Sequence, residues 1–186
     1  VWGYNGSYPG PSFVVRSGQP VSIKFTSNLP QTHLLEVDTS IHGAEPPNPE
    51  VRTVIHLHGG AVRPEYDGWP LDWFVPGQAQ TYEYPNGQDA ATLWYHDHTL
   101  GMTRLNVYAG PAGFFIIRGG PSDVVLDARF GTNAVLPGPA PALGDLPGTL
   151  YYEIPIAIQD RAFNTDGSLF YPATREFFDG ATEFDP

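Results

Sequence analysis

The chain has 186 residues, enough for one domain with its own core and some additional chain. A net charge of -11 with only 9 Lys and Arg gives no basic patch for nucleic acid, and no apolar run approaches the roughly 20 residues that span a bilayer. With no cysteine, the chain carries no disulfide, no thiolate metal ligand and no cysteine nucleophile.

Its 21 glycines and 20 prolines favour many short strands over long helices. Residues 1–12 read as a short strand and a turn at Tyr8-Pro9-Gly10-Pro11. Residues 12–15 and 21–25 are strand candidates joined by the turn Ser17-Gly18-Gln19-Pro20. In the second, Val21, Ile23 and Phe25 alternate with Ser22, Lys24 and Thr26, the period of a half-buried strand. Residues 28–50 form a long loop bracketed by Asn28-Leu29-Pro30 and Glu45-Pro46-Pro47-Asn48-Pro49. Residues 52–57 alternate again, and Gly59-Gly60 ends that strand. A second long loop, 61–78, contains Pro64, Pro70, Pro76 and Asp67-Gly68. Residues 80–84 and 91–96 predict two more strands, 100–108 a short helix or irregular loop, and 112–118 a last apolar strand closed by Gly119-Gly120-Pro121.

Beyond that point the character changes. Residues 131–149 are rich in Gly, Pro and Ala, as a linker is. Residues 151–159 are apolar and strand-like, Thr165-Asp166-Gly167-Ser168 is a turn, and 176–186 are acidic and aromatic without period. About seven short strands with long loops predict an all-β fold, a Greek-key β-sandwich over residues 1–120. Residues 121–186 then form a C-terminal connector.

Four of the six histidines fall in two identical spacings, His56-Leu57-His58 and His96-Asp97-His98, each at the end of a strand candidate. On a strand, residues i and i+2 face the same way, about 6.5 to 7 Å apart along the chain. Two such strands side by side aim four imidazoles at one volume. Neutral imidazoles suit copper, zinc, iron or nickel. At a metal–nitrogen distance of about 2 Å, one ion rarely takes both rings of a same-strand pair. Each pair therefore serves two metals, and the pattern predicts a multinuclear cluster for which four histidines are incomplete. Asp97, between two histidines, points to the opposite side and hydrogen-bonds behind the site.

Val54-Ile55-His56-Leu57-His58-Gly59-Gly60 resembles the first copper motif of the multicopper oxidases, and Leu93-Trp94-Tyr95-His96-Asp97-His98 resembles the second. The flanks Trp2-Gly3-Tyr4-Asn5-Gly6 and Thr103-Arg104-Leu105-Asn106-Val107-Tyr108-Ala109-Gly110-Pro111 agree, as do Ile158-Gln159-Asp160-Arg161 and Asp166-Gly167-Ser168-Leu169-Phe170-Tyr171-Pro172. The chain looks most similar to the bacterial spore-coat laccase and bilirubin oxidase branch. The resemblance implies a cupredoxin fold, with this chain the first of three such domains plus the connector towards the second. It implies that His56 ligates a type 2 copper, that His58 and His96 share one type 3 copper, and that His98 binds the other. It further implies that dioxygen is reduced to water there, with electrons from a small organic or metal-ion reductant arriving through a type 1 copper.

The chain has no type 1 cysteine, and the family's third-domain motifs His-x-x-His-x-His and His-Cys-His are absent. The remaining ligands are therefore expected from the other domains of the same oxidase, on a separate chain or a continuation, with cleavage of a longer precursor the favoured reading. Asp67 by residue type alone is a turn aspartate; the resemblance places an acidic residue here near the type 2 copper, where it relays protons. Trp94 and Tyr95 read as packing residues, His33 and His42 as structural or surface groups, and Arg104 as the anchor of a loop through a salt bridge. The competing reading is a non-enzymatic copper-binding cupredoxin.

Overall fold

A computed structural model of the chain describes residues 1–130 and 144–172. Strands β1 (Gly10–Arg16), β2 (Val21–Thr26), β3 (Ile55–His58), β4 (Ala79–Tyr84), β5 (Ala91–Asp97) and β6 (Ala112–Arg118) make two sheets. The larger has the order β1-β6-β5-β3, with β1 parallel to β6 and the other neighbours antiparallel. The smaller pairs β2 with β4, so the chain switches sheets at each step from β1 to β5, β6 stays beside β5, and the two sheets close over one core. The expected all-β sandwich is the observed fold, with only short helices added at α1 (Thr103–Ala109) and α2 (Pro121–Phe130).

The core follows from the two-residue period of each strand. Ile55 and Leu57 of β3, Tyr82 and Tyr84 of β4, Tyr95 of β5 and Phe115 and Ile117 of β6 turn inward with Phe25 and Phe74. Because Ile55, Leu57 and Tyr95 point into the core, their neighbours His56, His58, Trp94 and His96 point out of the same sheet. A second cluster of Leu35, Ala44, Met102, Leu105 and Ala109 seats α1 against the loop at residues 28–50.

Three local expectations need correction. Residues 52–54 are not part of the ladder. Thr53 forms an isolated bridge with Phe74, the Val54 N–H goes to the Asp97 carboxylate, and the buried Arg52 guanidinium donates to the carbonyls of Gly43, Pro49 and Leu100. The strand proper therefore begins at Ile55. Residues 121–130 form a helix: Pro121 occupies a first-turn position that needs no N–H, and the Asp123 carboxylate accepts from the Gly119 N–H at 2.7 Å. Residues 151–159 hold no strand, although the hairpin of β7 (Ala162–Phe163) and β8 (Leu169–Phe170) folds around the expected turn. Most of the expected linker at 131–149, and all of 176–186, lie outside the described residues.

Candidate metal centre

Register brings the histidines together. In the antiparallel β3–β5 ladder His56 lies opposite His96, and His58 lies opposite Trp94. Directly opposite side chains on one face of such a pair touch, so two separate sequence motifs become one cluster. The ring centroids of His56 lie 5.6 Å from His58, 5.5 Å from His96 and 4.6 Å from His98. His56, His58 and His96 each offer a ring nitrogen, and these three atoms lie within 4.8 Å of one another.

Three of the four imidazoles have a fixed tautomer. The Nδ1–H of His56 donates to the Asp67 carbonyl at 2.6 Å, that of His96 to the Asp97 carbonyl at 2.6 Å, and that of His98 to the Gly68 carbonyl at 3.0 Å. A carbonyl oxygen only accepts, so Nδ1 carries the proton and the Nε2 lone pair is left for a ligand. His58 is different: its Nδ1 faces the Nε2 of His96 at 3.2 Å. An ion about 2.0 Å from each of these two nitrogens would subtend an angle of about 106°. The 3.2 Å separation of these nitrogens is within the span of two ligands on one metal ion.

Burial keeps the His96 ring in its ligating form. Burial, followed by the neighbouring imidazoles, lowers the His96 pKa to about 4, so this ring stays neutral at ordinary pH. Behind the sheet the Asp97 carboxylate is fully buried and accepts from the Val54 N–H, the Thr99 N–H and the Thr99 hydroxyl. It clips the start of β3 to the end of β5, and burial pushes its pKa up. The Asp67 carboxylate lies 3.3 Å from His56 Nδ1 and is half-exposed.

Glycine at position 68 is a steric requirement. Its φ is +74°, and a Cβ would sit 2.3 Å from the Ile55 carbonyl oxygen. Only a residue without Cβ lets the loop approach β3 closely enough for the Asp67 and Gly68 carbonyls to reach His56 and His98.

The remaining candidates divide clearly. Tyr95 is core, its hydroxyl donating to the Pro11 carbonyl at 2.8 Å. Trp94 is 37% exposed and stacks on His96 and His58 at 4.1 and 5.3 Å, a contact its expected packing role did not include. His33 is buried and bonded to the Asn106 side chain, whereas His42 is an exposed partner of Glu45. Arg104 lies over the Tyr171 ring at 5.2 Å among the described residues, a cation–π contact in place of the expected salt bridge. A cavity of about 640 Å³ lined by Tyr4, Phe13, Phe25 and Tyr95 opens on the core side of the sheet and touches none of the four histidines.

Fold and site together define a β-sandwich that presents four convergent imidazoles on an outer sheet face. A multicopper oxidase family model matches residues 1–51 and 48–122 of this sequence. The laccase of Bacillus subtilis (strain 168) is 42% identical over 186 residues, 95% of this chain and 32% of that protein. The laccase of Haloferax volcanii is 40% identical over 188 residues, 92% of this chain and 29% of that protein. The McoA multicopper oxidase of the hyperthermophile Aquifex aeolicus superposes with a TM-score of 0.59 at 26% identity, over 86% of this chain and 27% of that one. The chain belongs to the multicopper oxidase family, and its sandwich is of the cupredoxin type. Family membership implies copper as the cofactor, and an all-imidazole donor set fits that metal. The chain spans about a third of the length of the curated relatives it matches.

Proposed function

We propose that this chain is the first cupredoxin domain, residues 1–120, of a laccase-like multicopper oxidase, with residues 121–186 the connector towards a second domain. The outward-facing cluster of His56, His58, His96 and His98 carries this reading. Four imidazoles supply half of a trinuclear copper site, and the remaining domains of the same oxidase supply the rest. His56 serves the type 2 ion, His58 and His96 share one type 3 ion, and His98 serves the other. Copper bound there supplies the one-electron steps by which dioxygen is reduced to water, at the expense of a phenolic, pigment or metal-ion reductant oxidised at a type 1 copper outside this chain.

The chain's own residues hold and orient. The carbonyls of Asp67, Asp97 and Gly68 aim three Nε2 lone pairs outward. The Asp67 carboxylate, beside His56 and open to solvent on its other side, passes protons towards the dioxygen-binding face. The connector supports the domain assignment. Leu150, Tyr152, Ile154, Ile156 and Ile158 are all exposed at alternate positions, an apolar edge suited to a further sheet. The alternative of a non-enzymatic cupredoxin is not favoured, because the relatives are named laccases and multicopper oxidases.

The test replaces His98 with Ala in the complete protein. The expected result is loss of oxygen consumption with the midpoint of metal-free thermal unfolding nearly unchanged, since His98 lies outside the core clusters. Normal turnover by this variant refutes the assignment.

A further inference from the structure

We propose that Trp94 is a positioning residue that holds the His58 imidazole where its Nδ1 meets the Nε2 of His96. This rests on the reading of His58 and His96 as ligands of a shared ion.

The four imidazoles are not secured alike. His56, His96 and His98 are each pinned through Nδ1 by a main-chain carbonyl, which fixes both ring rotation and tautomer. The hydrogen-bond contact of His58 is instead with another histidine of the cluster. His58 is also exposed and is the last residue of β3. What lies against its ring is the indole of Trp94, opposite it in the ladder, with centroids 5.3 Å apart and planes inclined by only 21°. The same indole stacks on His96 at 4.1 Å and 29°. One flat side chain thus touches both rings whose nitrogens stand 3.2 Å apart, and sets their spacing and tilt together. Trp94 leaves 37% of its surface exposed on the outer face. An aromatic plane is needed here because an aliphatic side chain would fill volume without defining the angle of an adjacent imidazole.

The experiment uses the complete, copper-loaded protein with Trp94→Leu, Trp94→Phe and His58→Ala. Copper affinity is measured by competition with a chelator, the copper EPR spectrum is recorded, and thermal unfolding is followed after metal removal. Partners that orient metal ligands change affinity by about 10- to 100-fold when removed, so Trp94→Leu should weaken the most weakly held copper by at least about 10-fold and alter its spectrum. Trp94→Phe keeps a ring plane and should fall clearly short of that roughly 10-fold loss. The metal-free variants should unfold at nearly the parent temperature. Should Trp94→Leu not fold, Trp94→Gln at the same outer-face position carries the same comparison. Parent-like copper affinity and spectrum in Trp94→Leu overturn the proposal. So does a Trp94→Phe defect equal to that of Trp94→Leu, which would assign the effect to the indole rather than to stacking. His58→Ala separates the two levels. If it loses copper while Trp94→Leu does not, only the positioning role fails; if it retains the parent's copper and spectrum, the ligand reading itself fails.

Discussion

Main-chain carbonyls orient three of the four imidazoles, so the residues supporting this site act through backbone position as much as through side-chain chemistry. Gly68 shows the consequence. An added methyl would overlap the Ile55 carbonyl oxygen and come within 2.9 Å of the His56 Cα, at a φ that other residues rarely adopt. Gly68→Ala should therefore cost about 1–3 kcal/mol in urea unfolding, as the loop is driven away from β3. It should also lower copper retention, because the Asp67 and Gly68 carbonyls recede from His56 and His98. A Gly68→Ala protein with parental stability and copper content contradicts this role. The histidines themselves were legible from their His-x-His spacing. Their carbonyl anchors were not, since a carbonyl is present at every residue and only the fold selects which one is used. Nor was the stacking of Trp94, which depends on the His58–Trp94 register rather than on any local motif.

At the scale of elements, β3 and β5 form the unit that matters. Each places alternate residues in the core and in the site, so the site rests on the packing behind it. Leu57 is 1% exposed and lies between His56 and His58 in the chain. Leu57→Ala should cost about 2–5 kcal/mol, read as a lower urea midpoint with an unchanged slope. A loss below about 1 kcal/mol would mean that this face of β3 is not core. The same alternation made the elements legible. The sixth strand, Ala112–Arg118, has the bounds its apolar run predicts. Failure came where side chains or capping took over from periodicity. At residues 52–54, Asp97 and the long loops capture the backbone and the Arg52 side chain. In α2, Val124 and Val125 are both exposed, so no apolar stripe announces the helix. The segment 151–159 has the pattern of a strand but no partner strand among the described residues, and a strand needs a neighbour to form a ladder.

On the scale of the whole molecule, the parallel β1–β6 pair and the order β1-β6-β5-β3 leave β3 at the edge of its sheet, with the histidines facing away from the core. Within this chain the exposed His58 ring leaves part of the site uncovered. The other side of a metal cluster then has to come from elsewhere, which agrees with a chain that spans about a third of its curated relatives. The most direct test of this account is anomalous diffraction at the copper edge from crystals of the complete protein. The account predicts copper peaks over the outer face of β3 and β5, about 2.0 Å from the Nε2 atoms of His56, His96 and His98 and from the Nδ1 of His58, with one peak shared by His58 and His96. Copper bound away from these four imidazoles, or separate ions on His58 and His96, would contradict it.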